Sequence, residues 1–175
     1  VEDVESVDAA LIIGANPRKD QPILGHRLRK AALKGASISY LNPLKHDLNY
    51  RAQQLLSAPA SMVDDLASVA KAAGASGAII DGAEVNAEHE AIASDLKQAE
   101  SGLVLLGNLA RSHPDYSILT ALAAEIAKAS GAKVGFAGEA ANSTGARLVG
   151  AMPAMGLNAQ SMLEQPRKGY LLMGL

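Results

Sequence analysis

Residues Asp8 to Pro17 read DAALIIGANP, and no other stretch restricts the possible folds as tightly. An apolar run, Ala9 to Ile13, reaches Gly14 and stops at Asn16-Pro17. A short apolar run closed by turn residues suits a strand buried on both faces, as in a parallel sheet. A helical pattern follows and ends at Gly35, and a second apolar run, Ala36 to Leu41, stops at Asn42-Pro43. Strand, helix and strand at this spacing form one βαβ unit. The Gly14 turn then lies at the carboxyl end of its strand, where open α/β sheets place their ligands.

The first helix is expected to be capped by Asp20, with Pro22 in its first turn. Leu24, Leu28, Ala31 and Ala32 recur at helical spacing as the buried stripe, and Gly35 supplies the stop. Arg18, Lys19, Arg27, Arg29, Lys30 and Lys34 make the other face basic. Such a face is either solvated or a docking surface for an acidic partner, and Arg18 and Lys19 are placed to meet a phosphate.

The polar stretch LKHDLNYRAQQLLSAPAS reads as a connection that returns to helix at Ser61. Ser61 and Asp64 resemble a capping box before a helix with Leu66, Val69, Ala70 and Ala73 inward and Gly74 at its end. Gly77 to Ile80 is a short strand or a hydrophobic turn. Asn86 opens another helix, with Ile92, Ala93 and Leu96 inward. The third strand expected is Gly102 to Leu106. A helix capped by Asp115 follows, with Leu119, Leu122, Ala123 and Ile126 on one face and Gly131 at its end, and Lys133 to Ala137 is the fourth strand. Strands alternating with amphipathic helices predict a Rossmann-like, doubly wound, mostly parallel α/β sheet. A Gly- and Ala-rich loop then spans residues 138–150, suited to close approach of a ligand or of another backbone.

The length, 175 residues, suits a single α/β domain over 1–175. Hydrophobic residues make up 49% of the chain but aromatics only 3%, so Ala, Leu, Ile and Val must fill the core. Sixteen basic against 18 acidic residues give a formal charge of −2, which supplies no whole-chain attraction to nucleic acid or an anionic membrane. Cysteine is absent, which excludes disulfides, thiolate nucleophiles and cysteine-ligated iron–sulfur clusters from this segment. The amino terminus, VEDVESVD, has no basic n-region, and no apolar run approaches the ~20 residues of a spanning helix. A first residue other than Met and a terminal apolar run, GYLLMGL, suggest a piece of a chain that continues at both ends. That run echoes ALIIG at residues 10–14, as a second copy of the opening unit would.

Familiar catalytic patterns are missing. No G-x-G-x-x-G follows a strand, and no G-x-x-x-x-G-K-[ST] occurs. His26, His46, His89 and His113 sit on separate elements without paired ligand spacing and read as surface or capping residues. Ser143 and Thr144 lack a G-x-S-x-G elbow, and Asp64-Asp65 read as helix-start acids. No catalytic residue and no metal ligand is assigned.

Taken together, DAALIIGANPRKDQPILGHRLRKAALKGASISYLNP resembles the molybdopterin-oxidoreductase-like portion of the large peripheral-arm subunit of NADH–quinone oxidoreductase, respiratory complex I. The matching residues are Gly14-Ala15-Asn16-Pro17-Arg18, then Pro22, Arg27, Leu28, Arg29 and Lys30. Ala140-Ala141-Asn142-Ser143 with Gly145 matches the family's Gly-Ala-Asn-Ser loop, and GYLLMGL matches its next strand. The wider molybdopterin family binds a guanine-dinucleotide pterin across such strand ends. The resemblance therefore implies that Gly14, Asn16, Pro17, Arg18, Asn42 and Asn142 are vestigial pterin-site positions. Where the family has D-P-R after the second strand, this chain has Asn42-Pro43-Leu44, without the acid and without the cation.

That departure implies a branch that has lost the pterin: a structural domain with no redox centre in this segment, with iron–sulfur clusters elsewhere in the parent chain. The partners implied are the other peripheral-arm subunits, with no nucleic acid and no direct membrane insertion. The location implied is the cytoplasmic face of a bacterial inner membrane, or the matrix side in a mitochondrion. Two other readings stay open. One is a nucleotide-binding domain of the FAD or ADP type found in thiamine-diphosphate enzymes; the other is a true molybdopterin-guanine-dinucleotide oxidoreductase with degenerate turns.

Overall fold

The computed structural model describes residues 2–138, 142–151 and 156–171. They form two compact units, Val1–Ala137 and Gly138–Leu175. The larger holds a five-stranded, all-parallel sheet in the order β3-β2-β1-β4-β5. Its strands are β1 Ala9–Ile13, β2 Ser37–Asn42, β3 Gln53–Leu56, β4 Gly102–Leu106 and β5 Lys133–Phe136. The helices are α1 Pro17–Asp20, α2 Pro22–Leu33, α3 Met62–Ala73, α4 Ala87–Gln98, α5 Asn108–Arg111 and α6 Tyr116–Ser130. Strand order runs outward from β1 to β3, then restarts on the other side with β4 and β5. The switch point is thus between β1 and β4, and the expected parallel α/β sheet is present.

All five residues of β1 are buried. Because side chains alternate across a strand, Ala9, Leu11 and Ile13 enter one core with α3, α4 and α6. Ala10 and Ile12 enter the other, with Leu28 and Ala31 of α2. An unbroken apolar run is what a two-faced central strand requires. Short aliphatics fill both cores, and Tyr40 is the largest side chain that is fully buried.

Several local expectations need correction. Gln53–Leu56 is a strand rather than part of a polar connection. It escapes notice because it is an edge strand, and Gln54 folds outward to accept from His46 N at 2.7 Å and to donate to His46 O at 3.0 Å. Of the two readings left open for Gly77–Ile80, the turn is the one present, with Ile80 N and Asp81 N both donating to Gly77 O. Asp20 does not cap α2. It ends the short α1, its carboxylate accepts from Asn16 N at 3.3 Å, and Gln21 holds the cap position without a side-chain bond. Ser61 and Asp115 occupy cap positions, also without side-chain cap bonds. Asn86 is a true cap, accepting from Glu88 N and His89 N while His89 Nδ1 accepts from Asn86 N.

The basic face of α2 is partly covered by the chain itself. The acidic 3-10 turn Glu2–Ser6 lies against it, and Glu5 pairs with Arg27 and with Lys30, while Lys34 Nζ donates to Glu5 O. The smaller unit contains α7 Ser143–Leu148 and α8 Ala159–Glu164. Asn158 caps α8, and Tyr170 OH donates to Met162 O at 2.8 Å. Ala140, Ala141 and residues 172–175 of the terminal GYLLMGL run lie outside the described residues. Among the described residues, no helix is long and apolar enough to cross a membrane.

Candidate functional site

Gly14, Asn16, Pro17, Arg18 and Asn42 converge at the carboxyl ends of β1 and β2, the edge on which ligands of open α/β sheets sit. Asn142 belongs to the smaller unit, where its side chain is exposed and an added Cβ on Gly145 would fall on it.

The turn after β1 is closed by its own hydrogen bonds. Gly14 has φ +58, a left-handed conformation that glycine adopts without strain, and a Cβ there would run into Ala110 N. Gly14 N donates to Leu41 O at 2.9 Å. Gly14 O accepts from Leu109 N at 2.9 Å and Ala110 N at 3.2 Å, so the first turn of α5 already has its acceptor. Gly107 N donates to Ile13 O at 2.9 Å, and a Cβ on Gly107 would fall on Ala15. Backbone thus packs directly against backbone across the switch point.

Asn42 closes the second side. It is 1% exposed and clamps Ala15 with two bonds of 2.9 Å, accepting from Ala15 N through Oδ1 and donating to Ala15 O through Nδ2. Asn16 N donates to Asp20 Oδ2, and Pro17 has no N–H. Every backbone donor from Gly14 to Asn16 is therefore engaged within the fold. The Arg18 guanidinium turns to the loop after β2, donating to Asp47 O at 2.6 Å and Asp47 Oδ2 at 3.0 Å. Leu44, at the position where the family has a cation, is 69% exposed.

Two residues of the connection after β2 also belong to this edge: Asp47, which the sequence reading passed over, and His46, which it read as a surface or capping residue. Asp47 takes Arg18, and His46 Nδ1 lies 3.3 Å from Asn16 Nδ2. Their signal was weak, a bare His-Asp pair in a polar stretch. Beneath them the Tyr40 and Tyr50 hydroxyls share a hydrogen bond that fastens the loop to β2. Burial first, and then the neighbouring Tyr50, push the Tyr40 phenol well above its ordinary range. Burial also raises Tyr50, partly offset by its bond to Tyr40.

The donor set does not fit a phosphate-bearing pterin. An anion site at a strand end needs unpaired N–H groups or a free cation. Here the N–H groups of Gly14, Ala15 and Asn16 are spent inside the fold and the Arg18 guanidinium is held by Asp47, so the exposed Lys19 beside it has no backbone donors to share an anion with. Asn16 Oδ1 and Asn108 Oδ1 are buried without a hydrogen-bond partner, and both are acceptors that repel a phosphate oxygen. Among the described residues, no group of three His, Cys, Asp or Glu side chains is placed to hold a metal ion.

The model of the molybdopterin oxidoreductase family matches residues 1–174. No curated protein matches the chain. Among solved structures, it is similar to a chain of the formyltransferase/hydrolase complex FhcABCD from Methylorubrum extorquens in complex with methylofuran, with 15% identity and a TM-score of 0.58. The likeness covers 86% of this chain and 42% of that one, and at such identity it speaks for the fold alone.

Proposed function

Because the chain belongs to the molybdopterin oxidoreductase family, we propose that it is a structural and docking domain of an NADH–quinone oxidoreductase, holding no pterin and no redox centre in this segment. The observation that carries this reading is the Asn42 clamp on Ala15, which spends both the N–H and the carbonyl of that residue on the fold itself. The motif order of complex I subunits, G-A-N-P-R followed by P-x-x-x-x-R-L-R-K, supports the branch. This segment has no cysteine to ligate an iron–sulfur cluster, which agrees with a domain that carries no redox centre of its own. The partners are then the remaining subunits of the peripheral arm, at the cytoplasmic face of a bacterial inner membrane or on the matrix side of a mitochondrial one.

The test is elemental and fluorimetric. The native assembly purified through this chain should contain the peripheral-arm subunits and iron, with molybdenum and oxidised-pterin fluorescence far below one per chain. Stoichiometric molybdenum or pterin would overturn the loss of the cofactor. Absence of NADH-oxidising subunits from the assembly would overturn the complex assignment. Calorimetry with ADP and FAD should give no heat of binding, and saturable heat would favour a nucleotide-binding domain instead.

A further inference from the structure

Helix α2 turns Leu28 and Ala31 into the core and leaves its opposite face outward. Along that face run Ile23, His26, Lys30 and Leu33, at steps of three, four and three residues. This is the spacing of the seam along which two helices pack in a coiled coil. Both ends of the seam are apolar, Ile23 being 67% exposed and Leu33 65%. Ten residues of helix set them about 15 Å apart, within reach of a single packed element.

The charges say what that element carries. No acid occurs between Pro22 and Leu33, while Arg27, Arg29 and Lys30 are all basic. The chain neutralises one flank of the seam itself: Glu5, on the 3-10 turn Glu2–Ser6, pairs with Arg27 and Lys30. Arg29 stands on the other flank, beside the seam, where coiled coils place their interhelical ion pairs. Its side chain is partly buried and has no hydrogen-bond or ion-pair partner among the described residues.

We propose that this face docks a helix of a partner subunit that presents a carboxylate between two aliphatic residues on one stripe. The inference rests on the docking role proposed above and names the element that is docked. The two aliphatics cover Ile23 and Leu33, and the carboxylate meets the Arg29 guanidinium from the open flank, as Glu5 meets Arg27 from the other. An anionic membrane surface fits less well. A helix lying on lipid buries a continuous apolar face, whereas the continuous apolar face of α2 is in the core and the outward one is broken by His26 and Lys30.

The test compares the isolated chain with the native assembly purified through it, by hydroxyl-radical footprinting. Oxidation of Ile23, His26 and Leu33 should fall about fivefold or more in the assembly, because the core of an interface excludes water. Arg29→Lys keeps the charge and adds an amine, and zero-length carbodiimide coupling should join it to a Glu or Asp of another subunit with aliphatic residues three or four positions to either side. The double variant Ile23→Ser, Arg29→Glu should unfold at the parent's temperature and enter the assembly about tenfold less than the co-expressed parent chain. Unchanged oxidation at the three positions, no coupling outside this chain, coupling to an acid without such neighbours, or equal entry of the double variant would each overturn the proposal. So would equal protection of the isolated chain by phosphatidylglycerol vesicles, which would assign the face to a membrane. The footprint is taken on the native sequence, so it decides the matter even where the double variant fails to fold. An assembly without NADH-oxidising subunits that still protects the seam would sink the complex assignment alone, and peripheral-arm subunits around an unprotected seam would sink this inference alone.

Discussion

Replacing Asn42 by Asp is the sharpest perturbation of the turn, because it restores the residue type of the wider family while changing one hydrogen-bonding atom. The introduced carboxylate can still accept from Ala15 N, at the 2.9 Å now spanned by Asn42 Oδ1. Its second oxygen must replace Nδ2, which donates to Ala15 O at 2.9 Å. Two oxygens then face each other in a site where Asn42 is 1% exposed. Losing that bond and leaving a buried acceptor and charge uncompensated should cost about 2–4 kcal/mol at neutral pH. Protonating the introduced carboxyl restores a donor, so its folded-state pKa must rise above the unfolded value of about 3.9. Stability is then near that of the parent below about pH 4, and is lost as pH rises through the folded pKa. Urea unfolding followed by far-ultraviolet circular dichroism between pH 3.5 and 7.5, always relative to the parent, measures this difference. The alanine variant at position 42 should be destabilised with no such pH dependence. An Asn42→Asp chain within about 0.5 kcal/mol of the parent at pH 7, with a flat profile, would refute the clamp.

Three further outcomes follow from the same geometry. Gly14→Ala should cost about 2–5 kcal/mol, because it combines a left-handed φ with a clash against Ala110 N, and thermal unfolding would register it. Asn86→Ala should cost about 1–2 kcal/mol by removing the cap on Glu88 N and His89 N, and hydrogen exchange should localise the loss to the start of α4. The raised phenols of Tyr40 and Tyr50 predict stability that holds below about pH 10 and falls above it, as the unfolded chain ionises while the folded pair stays protonated. In an ultraviolet pH titration those two tyrosines should therefore ionise only with unfolding, and a Tyr40→Phe chain should lose less stability above that pH.

The sheet was readable where burial is two-sided. Ala9–Ile13 and Gly102–Leu106 have apolar residues on both pleat faces, so the run itself carries the signal. Gln53–Leu56 was not readable, because an edge strand needs only one apolar face and its other side chains serve the loop beside it. The caps divide along a similar line. Asn86 follows a polar turn and its cap is local, whereas Asp20 is drawn into the short α1 ahead of α2, and Ser61, at the α3 cap position, ends a 3-10 turn and makes no side-chain cap bond. The basic face of α2 was visible, but its partner is the acidic lead-in at Glu5, some twenty residues upstream of Arg27. No periodicity encodes a pairing of that kind.

At the candidate site, residue identity and residue role separate. The sequence shows an amide where the family has an acid, and that alone implies a lost contact to ligand. The geometry adds what replaced it. A carboxylate could take only the N–H of Ala15, while an amide serves its N–H and its carbonyl together, and among side chains of this length only asparagine does both. The amide at position 42 therefore closes the turn where a carboxylate would leave Ala15 O without its partner. One reversion cannot reopen it. Restoring the acid at position 42 and a cation in place of Leu44 would still leave Gly14 N, Ala15 N and Asn16 N satisfied by Leu41 O, the side chain at position 42 and Asp20. Arg18 would also remain with Asp47. The Asn42→Asp, Leu44→Arg chain should accordingly be less stable than the parent without gaining affinity for a phosphate-bearing ligand, and saturable binding of GDP by that chain alone would show that the turn is more pliable than its hydrogen bonds imply.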